Sequence, residues 1–349
     1  MTIGDRLDAN EDAHVMTILR RASFLPAIGG LACSLVLASC ANMATRSGPI
    51  RHVTQGPATT VISTELNTGC QAPLQYPLQR KTGLGRITAT DGTLITVPAQ
   101  TAIGSQPQPA PLYNECELTK PARLADVGLS KAPVVEVDPD GEVVTGFVVA
   151  DNYFEIYVNG KLIAVDPTPY TPFNSAIVRF RAKKPYTYAV KLVDWEEKLG
   201  LGMEWFPPNH KWWPGDGGFI AKFSDGVVTD SSWRAQSFYI APLSSPTDVI
   251  EQGNLHNTAA LGRTHPLSKM PSCEDKCYAV HYPVPAGWEQ PRFDDRPWPE
   301  AFTFTDEQVG ISPALVSYSQ FRDAFTGAQW IWSQNLVFDN LVLVRKTVR

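Results

Sequence analysis

The feature that most constrains this chain is a period-two alternation of apolar and polar residues, which begins near Val134 and recurs towards the C-terminus. Residues 153–158 show it clearly, because Phe154, Ile156 and Val158 fall on one face of an extended segment. No segment of helical length with a 3.6-residue period accompanies it outside the N-terminal region. The pattern therefore predicts a fold built from strands.

Turn residues separate the alternating segments at regular intervals. The pair Asn159-Gly160 is the strongest of these signals, since both residues tolerate the positive φ of a two-residue hairpin turn. Strands are predicted at 59–62, 93–97, 153–158, 161–165, 176–180, 186–193, 218–223, 237–240 and 341–348. Short strands with this spacing predict an all-β fold, an antiparallel β-sandwich.

Composition divides the chain into three parts. Residues 1–39 have the order of a secretory signal. Residues 40–132 are rich in Pro, Gly, Thr and Gln, and we expect a tether with a small strand-rich portion, because so few core residues rarely form an independent domain. Residues 133–349 form the predicted sandwich, and 244–272 is expected to be a long loop since it has little periodicity.

The N-terminal signal ends at a cysteine. An uncharged apolar run follows Arg20-Arg21 and ends in Leu37-Ala38-Ser39-Cys40. A membrane-spanning helix is the alternative, but Pro26 and Gly29-Gly30 make a poor span of this short run. Export by the general route and by a twin-arginine route both stay open.

The tetrapeptide Leu37-Ala38-Ser39-Cys40 resembles the lipobox of bacterial lipoproteins. The resemblance implies cleavage before Cys40 and attachment of lipid to its sulfur, so that the membrane is a partner through this lipid. Several acyl chains give stable anchoring where a single chain is marginal. Ala41 stands where an aspartate would retain such a lipoprotein in the inner membrane, so the resemblance implies an outer-membrane location, with the soluble part in the periplasm or facing outward.

Four cysteines of the mature chain are expected to form two disulfides, because their number is even and the compartment is oxidising. They are Cys70, Cys116, Cys273 and Cys277. Three connectivities are open, and pairing within segments favours Cys70 with Cys116 and Cys273 with Cys277. A metal site is the alternative, since Cys273, Cys277 and His281 are spaced four residues apart, although prolines crowd the segment. We expect no metal and no cofactor.

Four strings in the second half resemble a known family. They are DNYFEIYVNGK at 151–161, DGVVTDSSW at 225–233, FDDRPWP at 293–299 and DNLVLVR at 339–345. Together they resemble the galactose-binding-domain-like jelly roll, as found in sugar-binding accessory domains of bacterial glycosidases, over roughly residues 135–349. The resemblance implies a noncatalytic module that binds a glycan. Each string also has a purely structural explanation in turns and aromatic packing.

An aromatic loop at 205–218 is the candidate binding surface. Its candidate ligand-binding residues are Trp205, His210, Trp212, Trp213 and Asp216. Sugars present apolar C–H faces ringed by hydroxyls, so their sites pair flat aromatic rings with polar side chains. The alternative is that the tryptophans plug one end of the sandwich or contact the N-terminal region.

No catalytic residue is assigned. The adjacent pairs Glu196-Glu197 and Asp294-Asp295 would point to opposite faces of a strand, and no known catalytic motif is present. A hydrolase with an unfamiliar site stays open, with the histidines His52, His210, His256, His265 and His281 as groups that titrate near neutrality.

The net charge of the chain limits the class of partner that is expected. The net charge is −5 without a basic stripe, so nucleic acid is not an expected partner. The remaining hypotheses are a glycan-binding or partner-binding lipoprotein and a structural or assembly lipoprotein that makes only protein contacts.

Overall fold

Strands dominate the structure, a computed structural model that describes residues 50–56, 60–65, 83–114, 118–168, 174–195, 204–206, 210–212, 217–263, 276–311 and 316–349. In chain order the strands are β1 (His52–Gln55), β2 (Thr60–Glu65), β3 (Gly83–Thr88), β4 (Leu94–Val97), β5 (Ala110–Tyr113), β6 (Val135–Glu136), β7 (Glu142–Asp151), β8 (Tyr153–Val158), β9 (Lys161–Val165), β10 (Ser175–Ala182), β11 (Tyr186–Val193), β12 (Glu204–Phe206), β13 (His210–Trp212), β14 (Gly218–Phe223), β15 (Arg234–Leu243), β16 (Ile250–Gln252), β17 (Leu255–Asn257), β18 (Tyr278–His281), β19 (Phe302–Phe304), β20 (Trp330–Trp332) and β21 (Asp339–Val348). Helical segments are short: α1 (Val316–Ser319) and 3-10 turns at Leu124–Asp126, Leu129–Lys131, Pro246–Asp248, Ala259–Leu261 and Arg322–Phe325.

Two large sheets form a β-sandwich, and the predicted all-β antiparallel fold class is confirmed. Sheet 1 has the strand order β1-β18-β15-β21-β11-β8-β9, and sheet 2 has the order β19-β20-β14-β7-β10-β5. The short strand β6 lies beside β10 in sheet 2 and is parallel to it. Smaller sheets are formed by β2-β3-β4, by β12-β13 and by β16-β17.

The core lies between the two sheets and is built from the apolar positions of the alternation. Phe180 of β10 meets the rings of Tyr186 and Tyr188 of β11 edge-on, at centroid distances of 5.8 and 5.7 Å. Tyr188 is also 4.5 Å from the ring of Phe223 in β14. Val158 of β8 is the cross-strand partner of Tyr188, which places the predicted apolar face of β8 inside. Contacts between rings from both sheets join the two layers.

The hairpin predicted between β8 and β9 is confirmed. Asn159 has φ 50° and Gly160 has φ 80°, and Val158 pairs with Lys161 across the turn. Two consecutive positive φ values belong to the type I′ turn, whose twist matches that of the flanking strands. This turn fixes the register in which Phe154 and Ile156 point into the core.

Most predicted strands are found with closely similar bounds, as in β8, β9, β11 and β14. The strand predicted at 237–240 is longer, since β15 covers Arg234–Leu243. Nearly all of β15 is buried, and a strand covered on both faces carries no polar alternation to mark its ends.

The region expected to be a tether contributes strands to both large sheets. β1 pairs with β18 at one edge of sheet 1, and β5 pairs with β10 at one edge of sheet 2. Strands of four residues are too short to show a clear alternation in the sequence. The segment 244–272, expected to be a loop, contains the small hairpin β16-β17. Within the described ranges no helix has the length and hydrophobicity needed to cross a bilayer.

Candidate ligand site

The outer face of sheet 1, which points away from the sandwich core, carries polar groups that are buried. Tyr153, Glu155 and Tyr157 of β8 lie on this face, because they alternate with core residues. Lys191 of β11 is the cross-strand partner of Glu155. Glu155 is fully buried, so this face is covered by other parts of the chain.

Two segments provide the cover. The first is residues 98–103, where the backbone N–H of Ala102 donates to Glu155 and the carbonyl of Gln100 accepts from Lys191. The second is residues 284–295, which is held by Arg345 of β21. Polar groups of sheet 1 therefore bind both covering segments.

Glu155 is a buried carboxylate with four donors. Its Oε1 atom accepts from the N–H of Ala102 at 2.8 Å and from the hydroxyl of Tyr153 at 3.0 Å. Its Oε2 atom accepts from the hydroxyl of Tyr157 at 2.6 Å and from Nζ of Lys191 at 2.9 Å. Burial, followed by the Glu155 charge, raises the pKa of both tyrosines well above the usual value, so both phenols stay protonated and donate. Four donors offset the cost of burying this charge.

Arg345 plays the corresponding part for the second covering segment. Its guanidinium is 1% exposed and donates to Oδ2 of Asp295 at 2.9 Å. It also donates to the carbonyls of Trp288 and Gln290 and lies over the ring of Phe293, 5.2 Å from its centroid. One buried side chain thus fixes residues 288–295 against the sheet.

A cavity of about 480 Å³ remains between the covering segments, the β2-β3-β4 sheet and the outer face of sheet 1. We call it the outer cavity. Its polar and aromatic lining residues include Arg86, Lys191, His281, Trp288 and Glu289, and its apolar ones include Leu94 and Ile95. Small-molecule sites usually measure about 300–1,000 Å³. The outer cavity has the volume and the mixed lining of such a site.

His281 presents an uncharged imidazole to the outer cavity. Burial, together with the nearby charge of His52, lowers the pKa of His281 to about 4. Its Nδ1 atom is buried and has no hydrogen-bond partner among the described residues. His52 is its cross-strand partner on β1 and is itself engaged by Asp91, with Nδ1 2.8 Å from Oδ2. At neutral pH, His281 can donate one hydrogen bond and accept another.

Trp288 supplies the flat aromatic group of the outer cavity. Its ring meets that of Tyr157 edge-on, with 5.6 Å between centroids and 77° between planes. The hydroxyl of Tyr157 is bound to Glu155, so the support of the indole is itself fixed. An indole beside a cation, a carboxylate and a neutral imidazole is suited to a ligand with both C–H faces and hydroxyls.

The sequence-predicted aromatic loop forms a separate hairpin. Trp205 lies in β12, while His210 and Trp212 lie in β13. The backbone register pairs Trp205 with Lys211 and Trp212 with Glu204, so the two tryptophans are not cross-strand partners. Trp213 and Asp216 lie outside the described residues. The sugar platform predicted on this loop stays a prediction.

The cysteine predictions fall mostly outside the described residues. Cys40, Cys70, Cys116 and Cys273 are all outside them. Cys277 is buried and disulfide-bonded, to a cysteine that is not among the described residues, so the connectivity stays a prediction. Among the described residues no group of three or more His, Cys, Asp and Glu is arranged to hold a metal ion.

Other candidate groups have structural partners. His256 stacks on Tyr282 with 3.4 Å between centroids, its Nδ1 lies 2.6 Å from the carbonyl of Ser237, and burial lowers its pKa to about 4. Asp295 pairs with Arg345, while Asp294 pairs with Arg296 at the surface. His265 lies outside the described residues, and the side chain of His210 is likewise not described.

Sequence reasoning missed the residues that build the outer cavity. Glu155 and Lys191 occupy polar positions of the alternation, which predicts only that they point away from the core. The length of the covering segments is the one sequence feature that indicates a cover over the sheet. Their contacts with the sheet are not encoded in local periodicity. Trp288 gives no distinct sequence signal, because a single tryptophan in a Pro- and Gly-rich segment is common in loops.

The chain matches no protein-family model, no curated protein and no solved structure. The geometry of the outer cavity and the N-terminal sequence therefore carry the functional argument.

Proposed function

We propose that this protein is a lipid-anchored envelope protein whose β-sandwich binds a carbohydrate without cleaving it, and that the ligand sits in the outer cavity. The observation that carries the proposal is the outer cavity itself, about 480 Å³ in volume and lined by an indole, two cations, a carboxylate and a neutral imidazole. The galactose-binding-like jelly roll and the lipobox at Cys40 are the sequence resemblances behind the remaining parts of the proposal.

The chemistry of the lining favours a polyhydroxylated ligand. Trp288 contributes an indole that is 6% exposed to the cavity lining, and Glu289 can accept hydrogen bonds from hydroxyls. The acid buried beneath the cavity is fully engaged, because Glu155 already accepts from four donors. The proposed role is binding without cleavage, and such a role needs no activated nucleophile in the lining.

A glycan panel probed with the full-length chain in detergent tests the binding site. Leu94 is 53% exposed and lies at the rim of the outer cavity, so Leu94→Glu is expected to abolish binding. Leu118 is 67% exposed and does not line the cavity, so Leu118→Glu is the matched control and should bind as the parent does. Binding that survives Leu94→Glu but is lost in a Trp212→Ala, Trp213→Ala double variant would move the site to the aromatic hairpin.

The anchor is tested separately. Thioether formation requires the cysteine sulfur, so Cys40→Ser is expected to accumulate as an unprocessed precursor without lipid. Metabolic labelling with radioactive palmitate measures this. Label that persists on the Cys40→Ser protein would remove the anchor from the proposal and leave the cavity unaffected.

A further inference from the structure

We propose that the outer cavity selects saccharide units that carry a carboxylate, such as hexuronates, over their neutral counterparts. The inference rests on the proposed function and deepens it, because it names the class of sugar. Three side chains of the lining carry the argument: Lys191, Arg86 and Glu289.

Lys191 has one N–H donor without a partner among the described residues. Its ammonium group donates to Oε2 of Glu155 and to the carbonyl of Gln100, both at 2.9 Å. An ammonium group carries three N–H donors, and Lys191 lines the outer cavity. Because Glu155 and Gln100 hold the side chain, the third N–H is pre-oriented and costs little entropy to use.

Arg86 adds a guanidinium that forms no salt bridge with another described residue. It lies on β3 and is exposed at the cavity. The planar guanidinium fork matches the two oxygens of a carboxylate. The cations come from two different layers of the structure, since Arg86 belongs to the small sheet and Lys191 to sheet 1.

Glu289 favours binding of a sugar acid over binding of a simple anion. It belongs to the covering segment 284–295, and its contact among the described residues is with the Gln290 amide at 3.2 Å. A carboxylate repels a compact polyanion such as phosphate but accepts hydrogen bonds from hydroxyls. A ligand that joins one carboxylate to several hydroxyls satisfies Arg86 and Glu289 together, while its C–H face lies on Trp288.

Matched pairs of saccharides test the inference. The full-length chain in detergent is probed with glucuronate and galacturonate oligomers, their neutral hexose counterparts, and sialylated and desialylated glycans, with inorganic phosphate as a competitor. We expect at least one carboxylated member to bind about tenfold more tightly than its neutral partner, since a hydrogen bond between two charged groups is stronger than one to a neutral hydroxyl. Phosphate should compete only weakly.

Three substitutions assign the preference to the cavity. Arg86→Gln should reduce the preference several-fold without lowering affinity for the neutral sugar, and Arg123→Gln is the matched control, because Arg123 is exposed and pairs with the nearby Asp126. Glu289→Gln should bind the carboxylated member several-fold more tightly, because a like charge is removed.

The failures are distinguishable. Equal affinity for both members of every pair, a preference that Arg86→Gln leaves unchanged, or phosphate that displaces the sugar completely would each overturn the inference while leaving a sugar site. A panel on which no saccharide binds would overturn the proposed function.

Discussion

The outer faces of the two sheets differ in how they treat charge. On sheet 1 the charged residues Glu155 and Arg345 are at most 1% exposed and are held beneath covering segments. On sheet 2 the corresponding face carries Arg179 and Arg181 on β10, and both are partly open to solvent. Arg181 pairs with Glu136, whose side chain is 53% exposed.

This difference shows that exposed charged pairs and buried charged pairs have different consequences for the fold. A half-exposed ion pair such as Arg181 with Glu136 is worth little, because water competes for both partners. A buried pair is costly to break and holds its neighbours in place. Among the described residues, sheet 1 uses such pairs to fix covering segments, and those segments line the outer cavity.

The largest expected effect distinguishes Arg345 from Arg181. Arg345→Met should lower the free energy of unfolding by about 4 kcal/mol, because it leaves Asp295 and two carbonyls without their donor. Arg181→Met is the matched change on sheet 2 and should cost less than about 1 kcal/mol. Urea denaturation of both variants measures the difference, and equal losses would contradict the contrast between the two faces.

Next in size is the loss of the Lys191 ammonium. Lys191→Met should lower the free energy of unfolding by about 3 kcal/mol, because Glu155 is left buried without its cation. Adding Glu155→Gln should recover part of that loss, so a double-mutant cycle reports the coupling. The half-exposed Lys222 of sheet 2 provides the control, and Lys222→Met should change stability by no more than about 0.5 kcal/mol. A cycle without coupling would show that the pair does not hold the cover.

The smallest effect is the pH dependence contributed by His281 of sheet 1. The pKa of His281 is about 4 in the folded protein and near 6.5 when unfolded, so the unfolded state binds the proton first. The stability contributed by neutral His281 is therefore complete above pH 6.5 and is lost as the pH falls towards 4. His281→Gln should weaken this acid loss, measured as a smaller difference between melting temperatures at pH 7.5 and pH 4.5. His256 stays in both proteins and its similar loss cancels in the comparison.

The fold followed from local patterns, whereas the outer cavity did not. Alternation along β8 and the Asn159-Gly160 turn predict the hairpin, its register and its buried face, because each depends on neighbouring residues only. The contact between Gln100 and Lys191 joins residues 91 positions apart, and that between Trp288 and Arg345 joins residues 57 positions apart. Such contacts depend on the path of the covering segments, which periodicity does not describe.

The position of β21 in sheet 1 also constrains the order in which the sheet can fold. This strand, Asp339–Val348, is the last of the described strands to be synthesised, yet it lies in the middle of sheet 1 between β11 and β15. Whether it emerges from the ribosome or across a membrane, a chain that appears N-terminus first cannot complete sheet 1 until residue 348 has emerged, and until then β11 and β15 each lack a neighbour. Arg345 belongs to β21 and holds residues 288–295, which form part of the cavity wall. Completion of sheet 1 and formation of this wall are therefore expected to occur together, late in folding. Translation that stopped shortly before residue 339 would leave two open sheet edges and no support for the wall.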